Sequence, residues 1–165
     1  MNKKTGECSL STLLLVALLT MLRAGPLHAD DDLASGRYLV TIGGCNDCHT
    51  SMWAESNGKV DEKEWLTGSP IGWRGPWGTT YPSNLRLLVN DMSEDAWVVM
   101  LKTRVDRPPM PWMNVNRLSE KDARAMYRFI KSLGAHGERM PTALDPQSEP
   151  KTPYFIAEPV FPSAK

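Results

Sequence analysis

The chain has 165 residues, and its 19 basic and 19 acidic side chains leave no formal net charge at pH 7. This length accommodates one modest domain, and the lack of a Lys or Arg block removes the electrostatic case for nucleic acid as a partner. A hydrophobic fraction of 41% is enough for a globular core, whereas 12 Gly and 13 Pro in so short a chain predict a loop-rich fold.

Residues 1–29 have the pattern of a secretory signal peptide. Lys3 and Lys4 precede the apolar run 10–22, and small residues then lead to Ala29, after which we predict cleavage. An uncleaved membrane anchor is the alternative, but the run is shorter than the roughly 20 residues that cross a bilayer. We therefore expect export to the periplasm, no membrane span after cleavage, and a mature chain that is slightly acidic, because the leader contains three basic residues and one acidic residue.

Three helices are predicted in the remainder, which gives an all-α fold class. The first covers 32–42, with Asp32 as its N-cap and Leu33, Tyr38, Leu39 and Ile42 as its apolar positions, and Gly43-Gly44 ends it. The second covers 93–103 and the third 119–134, each beginning at a serine N-cap, and Gly134 closes the third. A domain over 30–134 is followed by a proline-rich extension, 135–165, that either wraps the domain or docks a partner.

The motif Cys45-Asn-Asp-Cys48-His49 contains the only cysteines beyond the leader. C-x-x-C-H is typical of c-type haem attachment, because each thiol can form a thioether to one vinyl group while the adjacent imidazole ligates the iron. A thioredoxin-like redox pair needs no following histidine. A zinc site would need further ligands, and a disulfide across two residues would be strained. The motif therefore predicts one covalently bound haem c.

The chain resembles the class I c-type cytochromes over most of 33–134. The resemblance is carried by Gly36-Arg-Tyr-Leu before the C-x-x-C-H motif and by three later segments, which are 75–84 (GPWGTTYPSN), 109–112 (PMPW) and 118–127 (LSEKDARAMY). It is strongest to a single domain of the multihaem cytochrome subunits of periplasmic alcohol and sugar-acid dehydrogenases. The resemblance implies a small helical fold in which the first and last helices cross beside the haem.

The sixth ligand of the iron decides between an electron carrier and a ligand-binding haem. Met110 is the predicted ligand, because its flanking prolines stiffen the loop and because the resemblance places the ligand in this Met-Pro-aromatic segment. Met113 is the second candidate and His136 the third, whereas Met100 and Met126 lie on predicted helices and are expected in the core. Further side chains with donors or rings are predicted to hold the haem and its propionates, namely Trp77, Tyr81, Asn84, Arg86 and Trp112.

The leading hypothesis is a periplasmic monohaem electron carrier that is not itself an enzyme. A periplasmic dehydrogenase would donate its electrons, and an oxidase or another cytochrome would accept them. Two alternatives remain open at this point, which are a haem enzyme or gas or peroxide sensor with a displaceable sixth ligand, and an electron-transfer subunit of a periplasmic dehydrogenase.

Overall fold

A computed structural model of the chain describes residues 27–159, 161 and 162. Most of the predicted signal peptide, residues 1–26, lies outside the described residues. The chain divides into two units between Asp31 and Asp32. In chain order the elements are α1 (Leu27–Ile42), α2 (Cys45–His49), a 3₁₀ turn (Glu62–Glu64), β1 (Gly72–Gly75), β2 (Gly78–Thr80), α3 (Leu85–Asn90), α4 (Glu94–Thr103), α5 (Trp112–Val115), α6 (Glu120–Ser132) and β3 (Tyr154–Ile156).

The two downstream helix predictions are confirmed. Ser93 caps α4 by accepting a hydrogen bond from the Ala96 amide, and Ser119 caps α6 in the same way from Asp122. Gly134 follows α6 with a positive φ of 74°, as a helix-ending glycine does. The first helix is longer than predicted, because α1 begins at Leu27 and Asp32 therefore lies inside it. The predicted cleavage after Ala29 would remove its first three residues.

The core is built around the apolar face of α6. Ala123, Met126 and Ile130 are buried there, and they pack in one cluster with Val40 of α1 and Trp97 of α4. The indole of Trp97 donates to the Ala123 carbonyl at 2.9 Å, which satisfies its buried N–H. Met126 is thus a core residue, as predicted, and Met100 packs against the same cluster.

Helices α1 and α6 approach each other most closely at Gly36. A Cβ atom at this position would lie 2.1 Å from the Ala125 carbonyl oxygen and 2.7 Å from the Cβ of Phe129. Only a residue without a side chain allows this contact. Two of the predicted apolar positions of α1, Tyr38 and Ile42, are exposed and not part of the core, and Val40 is the buried residue of this turn instead.

A three-stranded sheet, in the order β2-β1-β3, was not predicted. β1 and β2 form an antiparallel hairpin, and β3 adds a parallel strand in which Gly72 pairs with Tyr154. The C-terminal extension therefore wraps the domain. Its residues 144–157, here called the C-terminal strap, also pair with the hairpin through two main-chain hydrogen bonds between Leu144 and Thr79. The described part of the chain contains six helices and one small sheet, so it is not purely all-α as predicted. None of these helices has the length and apolar character to cross a membrane.

Candidate functional site

The two motif cysteines share one turn of helix. α2 spans Cys45 to His49, and the preceding Gly44 has a left-handed φ of 68°, which lets the chain turn sharply out of α1. Both thiols are free and half-buried. Burial raises the pKa of the Cys45 thiol to about 11, and burial together with the nearby Asp47 carboxylate raises the pKa of Cys48. Both cysteines therefore stay protonated at neutral pH, unlike the activated thiolate of a thiol–disulfide enzyme.

His49 is buried and held by a main-chain acceptor. Its Nδ1 lies 2.7 Å from the Ser83 carbonyl oxygen. A carbonyl can only accept, so Nδ1 carries the proton and Nε2 keeps a lone pair. Burial lowers the pKa of His49, and the Ser83 hydrogen bond opposes that effect less strongly. The imidazole is therefore neutral at pH 7, in the tautomer that a metal ligand requires.

Met110 lies in the irregular loop between α4 and α5 and is half-buried. With Pro109, Trp112 and Met113 it lines a cleft of about 380 Å³. The structure thus brings together the first and second candidates for the sixth ligand, but Met113 is 70% exposed. Trp112 packs against the core cluster, and the Arg104 guanidinium lies 5.0 Å above its ring.

The hairpin carries two buried donors without partners. Within the described residues, the indole nitrogen of Trp77 and the hydroxyl of Thr79 are buried and make no hydrogen bond. Such atoms cost free energy unless something else satisfies them. The ring of Trp77 lies across Gly75, where a Cβ would be 2.6 Å from it. The indole N–H of Trp77 is thus free to donate to a ligand, and the role of Trp77 at the haem stays a prediction.

Three other predicted donors have protein partners. Asn84 caps α3 by accepting from Leu87, and its amide group donates to the carbonyls of His136 and Glu138 at 2.8 and 3.1 Å. Arg86 donates to three main-chain carbonyls, those of Lys63, Leu133 and Gly134. The Tyr81 hydroxyl accepts from Thr152 of the C-terminal strap. These side chains fasten separate segments together, and their assignment to the cofactor stays a prediction.

His136, the third ligand candidate, is exposed, and its Nε2 lies 3.2 Å from the Glu64 carboxylate. Two residues of the site were not predicted from the sequence, namely Ser83, whose carbonyl accepts from His49, and Thr79, whose hydroxyl is buried without a partner. Ser83 acts through its carbonyl, which no side-chain pattern reports. Thr79 lies in the segment 75–84 that carries the family resemblance, and this resemblance is the one feature of the sequence that could have pointed to it.

The comparisons with known proteins return no match. No family model, no curated protein and no solved structure matches the chain. Within the described ranges there is also no group of three or more His, Cys, Asp and Glu side chains arranged to hold a metal ion. The chemistry of the site therefore follows from the C-x-x-C-H turn and the side chains around it.

Proposed function

We propose that the protein is a periplasmic one-electron carrier with one haem bound covalently through Cys45 and Cys48 and ligated by His49. The observation that carries the proposal is the His49 imidazole, which is buried, neutral and fixed by Ser83 directly after two protonated thiols on one helical turn. A metal-ligating histidine characteristically donates its other ring N–H to a carbonyl or carboxylate in this way. Cys45 and Cys48 would hold the haem through thioether bonds, in which each S–H would add across one vinyl group and give its proton to the neighbouring vinyl carbon.

The residues present fit the group. A haem has two propionate carboxylates, and a buried carboxylate needs hydrogen-bond donors. Trp77 and Thr79 supply two buried donors that lack protein partners. By contrast, the side chains of Arg86 and Asn84 already donate hydrogen bonds to main-chain carbonyls. We therefore favour the hairpin residues Trp77 and Thr79 as the polar contacts of the propionates.

We also propose that the domain has a class I cytochrome c fold. It is supported by the Gly36 contact between the first helix of the domain and the last one, and by the C-x-x-C-H turn that follows the first helix directly. Both features are what the resemblance implies. The additional sheet and strap would be elaborations of this fold.

Bound haem would supply the one-electron couple, and the residues that ligate its iron would set the reduction potential. A methionine thioether as sixth ligand favours the reduced state more than a second imidazole would. Met110 is favoured over Met113, because Met110 is half-buried in a loop stiffened by prolines whereas Met113 is exposed. Two fixed protein ligands leave little to rearrange between oxidation states, which suits a carrier. A periplasmic dehydrogenase as donor and an oxidase or cytochrome as acceptor are the partners we propose.

Absorption spectra of the purified protein and two methionine variants test the proposal. The oxidised wild-type protein should show the sulfur-to-iron charge-transfer band at the red end of the visible spectrum. Met110→Ala should lose that band and bind carbon monoxide in the reduced state. Met113→Ala is the matched control, since it removes the same side chain from the same cleft, and it should keep the band. A high-spin wild-type spectrum with rapid carbon monoxide binding would instead identify an open haem, and with it a sensor or enzyme.

A further inference from the structure

Arg107 lies where three segments of the chain meet. It belongs to the Met110 loop, which we define as residues 104–111 between α4 and α5. Its Nη1 donates to the Trp77 carbonyl of the hairpin at 3.2 Å and to the Leu144 carbonyl of the C-terminal strap at 2.8 Å. The same nitrogen lies 3.8 Å from the Asp145 carboxylate. One guanidinium therefore joins the loop that precedes Met110 to both the hairpin and the strap.

The strap is itself fixed to the hairpin at this point. Thr79 and Leu144 exchange two main-chain hydrogen bonds of 3.0 and 2.8 Å. The chains approach so closely that a Cβ on Gly78 would lie 2.0 Å from the Leu144 carbonyl oxygen. The acceptor that Arg107 uses on the strap is thus held rigidly against the hairpin. Movement of the strap would shift that acceptor directly.

At its N-terminal end the Met110 loop is attached to α5, because Asn116 donates to the Arg104 carbonyl at 3.2 Å and the Arg104 guanidinium lies 5.0 Å above the Trp112 ring. Val105 is 85% exposed, and the Arg104–Asp106 ion pair lies on the surface within the loop itself. The one further tie that the structure shows to the hairpin is the Thr80 hydroxyl, which donates to the Pro108 carbonyl at 2.6 Å. Segments with few buried apolar contacts open locally at low free energy. The hydrogen bonds of Arg107 and Thr80 are the side-chain contacts by which this loop is held against the hairpin and the strap.

We propose that Arg107 is a positioning residue through which the C-terminal strap holds the Met110 loop closed. The ligand part of this inference rests on the proposed function, because a closed loop keeps the Met110 thioether at the iron. The strap then controls how readily an external ligand replaces that thioether. Loop closure itself does not depend on haem and is measurable separately.

Two measurements on the full-length haem protein test this. The first is amide hydrogen exchange in peptides covering 104–111, and the second is the rate at which imidazole displaces the sixth ligand in the oxidised state. Arg107→Gln replaces the guanidinium with a shorter amide that does not reach the two carbonyls, and both rates should rise on the order of tenfold. Leu144→Pro removes the N–H that pairs with Thr79 and should act in the same direction by loosening the strap. Arg107→Lys keeps one donor nitrogen with three N–H groups on a slightly shorter side chain, and it should restore part of the wild-type behaviour.

Two control variants test whether the effect comes from the hydrogen bonds of Arg107 or merely from the loss of a surface charge. Arg139→Gln removes the same kind of side chain from a surface pair with Asp91, and both rates should stay within about twofold of wild type. Asp145→Asn should also have little effect, because that pair is long and its carboxylate is exposed.

Each outcome has one meaning. Unchanged exchange in Arg107→Gln overturns the inference. Faster exchange with an unchanged imidazole rate, in a protein that shows the charge-transfer band, supports loop closure by Arg107 but overturns control of the sixth ligand by the strap. A wild-type protein that lacks the charge-transfer band refutes the Met110 ligation of the proposed function, while the exchange data still decide whether Arg107 closes the loop.

Discussion

The contact at Gly36 gives a sharp test of the packing between α1 and α6. In Gly36→Ala the new methyl carbon would lie 2.1 Å from the Ala125 carbonyl oxygen, 2.7 Å from the carbonyl carbon and 2.7 Å from the Phe129 Cβ. An ordinary contact between such atoms is about 3.4 Å or longer. Two of the three opposing atoms belong to the backbone and the third is fixed to it, so a rotamer change cannot relieve the overlap.

The helices must therefore move apart by about 1 Å, and this gap forfeits roughly a quarter to a half of the dispersion energy of each contact across it. Overpacking of this kind typically costs about 1–3 kcal/mol, and backbone opposition puts Gly36→Ala near the upper end. The exchange also gains about 1 kcal/mol, because alanine has the higher helix propensity. The expected net loss is about 2 kcal/mol, or roughly 6–10 °C in Tm for a domain of this size.

Urea and thermal unfolding, followed by circular dichroism, measure this loss. The control is Ser35→Ala, which makes a change of similar size at the neighbouring, exposed position of the same helix. It should stay within about 0.5 kcal/mol of wild type. A Gly36→Ala protein as stable as Ser35→Ala would show that the two helices do not approach as described, and it would remove a main support for the proposed fold.

Three further changes have defined outcomes. Arg86→Met leaves the carbonyls of Lys63, Leu133 and Gly134 without their buried donor, so the free energy of unfolding should fall by about 2–4 kcal/mol in urea titrations. Trp77→Phe keeps an aromatic ring but removes the indole N–H and part of the ring volume, so it should lower the stability of the haem protein by about 1–3 kcal/mol more than that of the Cys45→Ser/Cys48→Ser protein, which has no covalent haem. Ser119→Ala removes the cap of α6 and should cost about 1 kcal/mol by thermal unfolding.

These outcomes are specific to the contacts described. Equal losses for Trp77→Phe with and without haem would mean that the indole N–H serves the protein and not a propionate. An Arg86→Met protein of wild-type stability would contradict the three main-chain contacts. For the helix cap, Ser119→Thr should recover most of the stability that Ser119→Ala loses, since threonine supplies the same oxygen.

Local signals account for the parts of the fold that the sequence predicted. The serine caps of α4 and α6 and the glycine after α6 act within one turn of their own helix, so the pattern is complete in a short window. The exposure of Tyr38 and Ile42 was not predictable in this way, because it depends on which side of α1 meets α6 at Gly36. The sheet was missed because β1 and β2 are short and rich in glycine, and because β3 comes from a distant segment.

In the candidate site, too, local features were predictable from the sequence and long-range contacts were not. The C-x-x-C-H motif lies in five consecutive residues, so the sequence identifies it directly, whereas the short helix that it forms was not predicted. The partners of Asn84 and Arg86 come from residues far along the chain, and a donor-rich side chain in a loop does not reveal which acceptor it will meet. Arg107 is the clearest such case, since its importance arises only once hairpin and strap lie beside it.

The parallel pairing of β1 with β3 also bears on the order of folding. Gly72 and Tyr154 are separated by about half the length of the chain, and closing so long a loop is entropically slow compared with forming local helices. Because Tyr154 follows Gly72 by 82 positions, it is also synthesised later than the hairpin. The hairpin that carries Trp77 and Thr79 would thus stay uncovered while the helices assemble, and the strap would seal it as a late event. Under the proposed function, this order of events would leave time for the haem to enter from that side before the strap covers the hairpin.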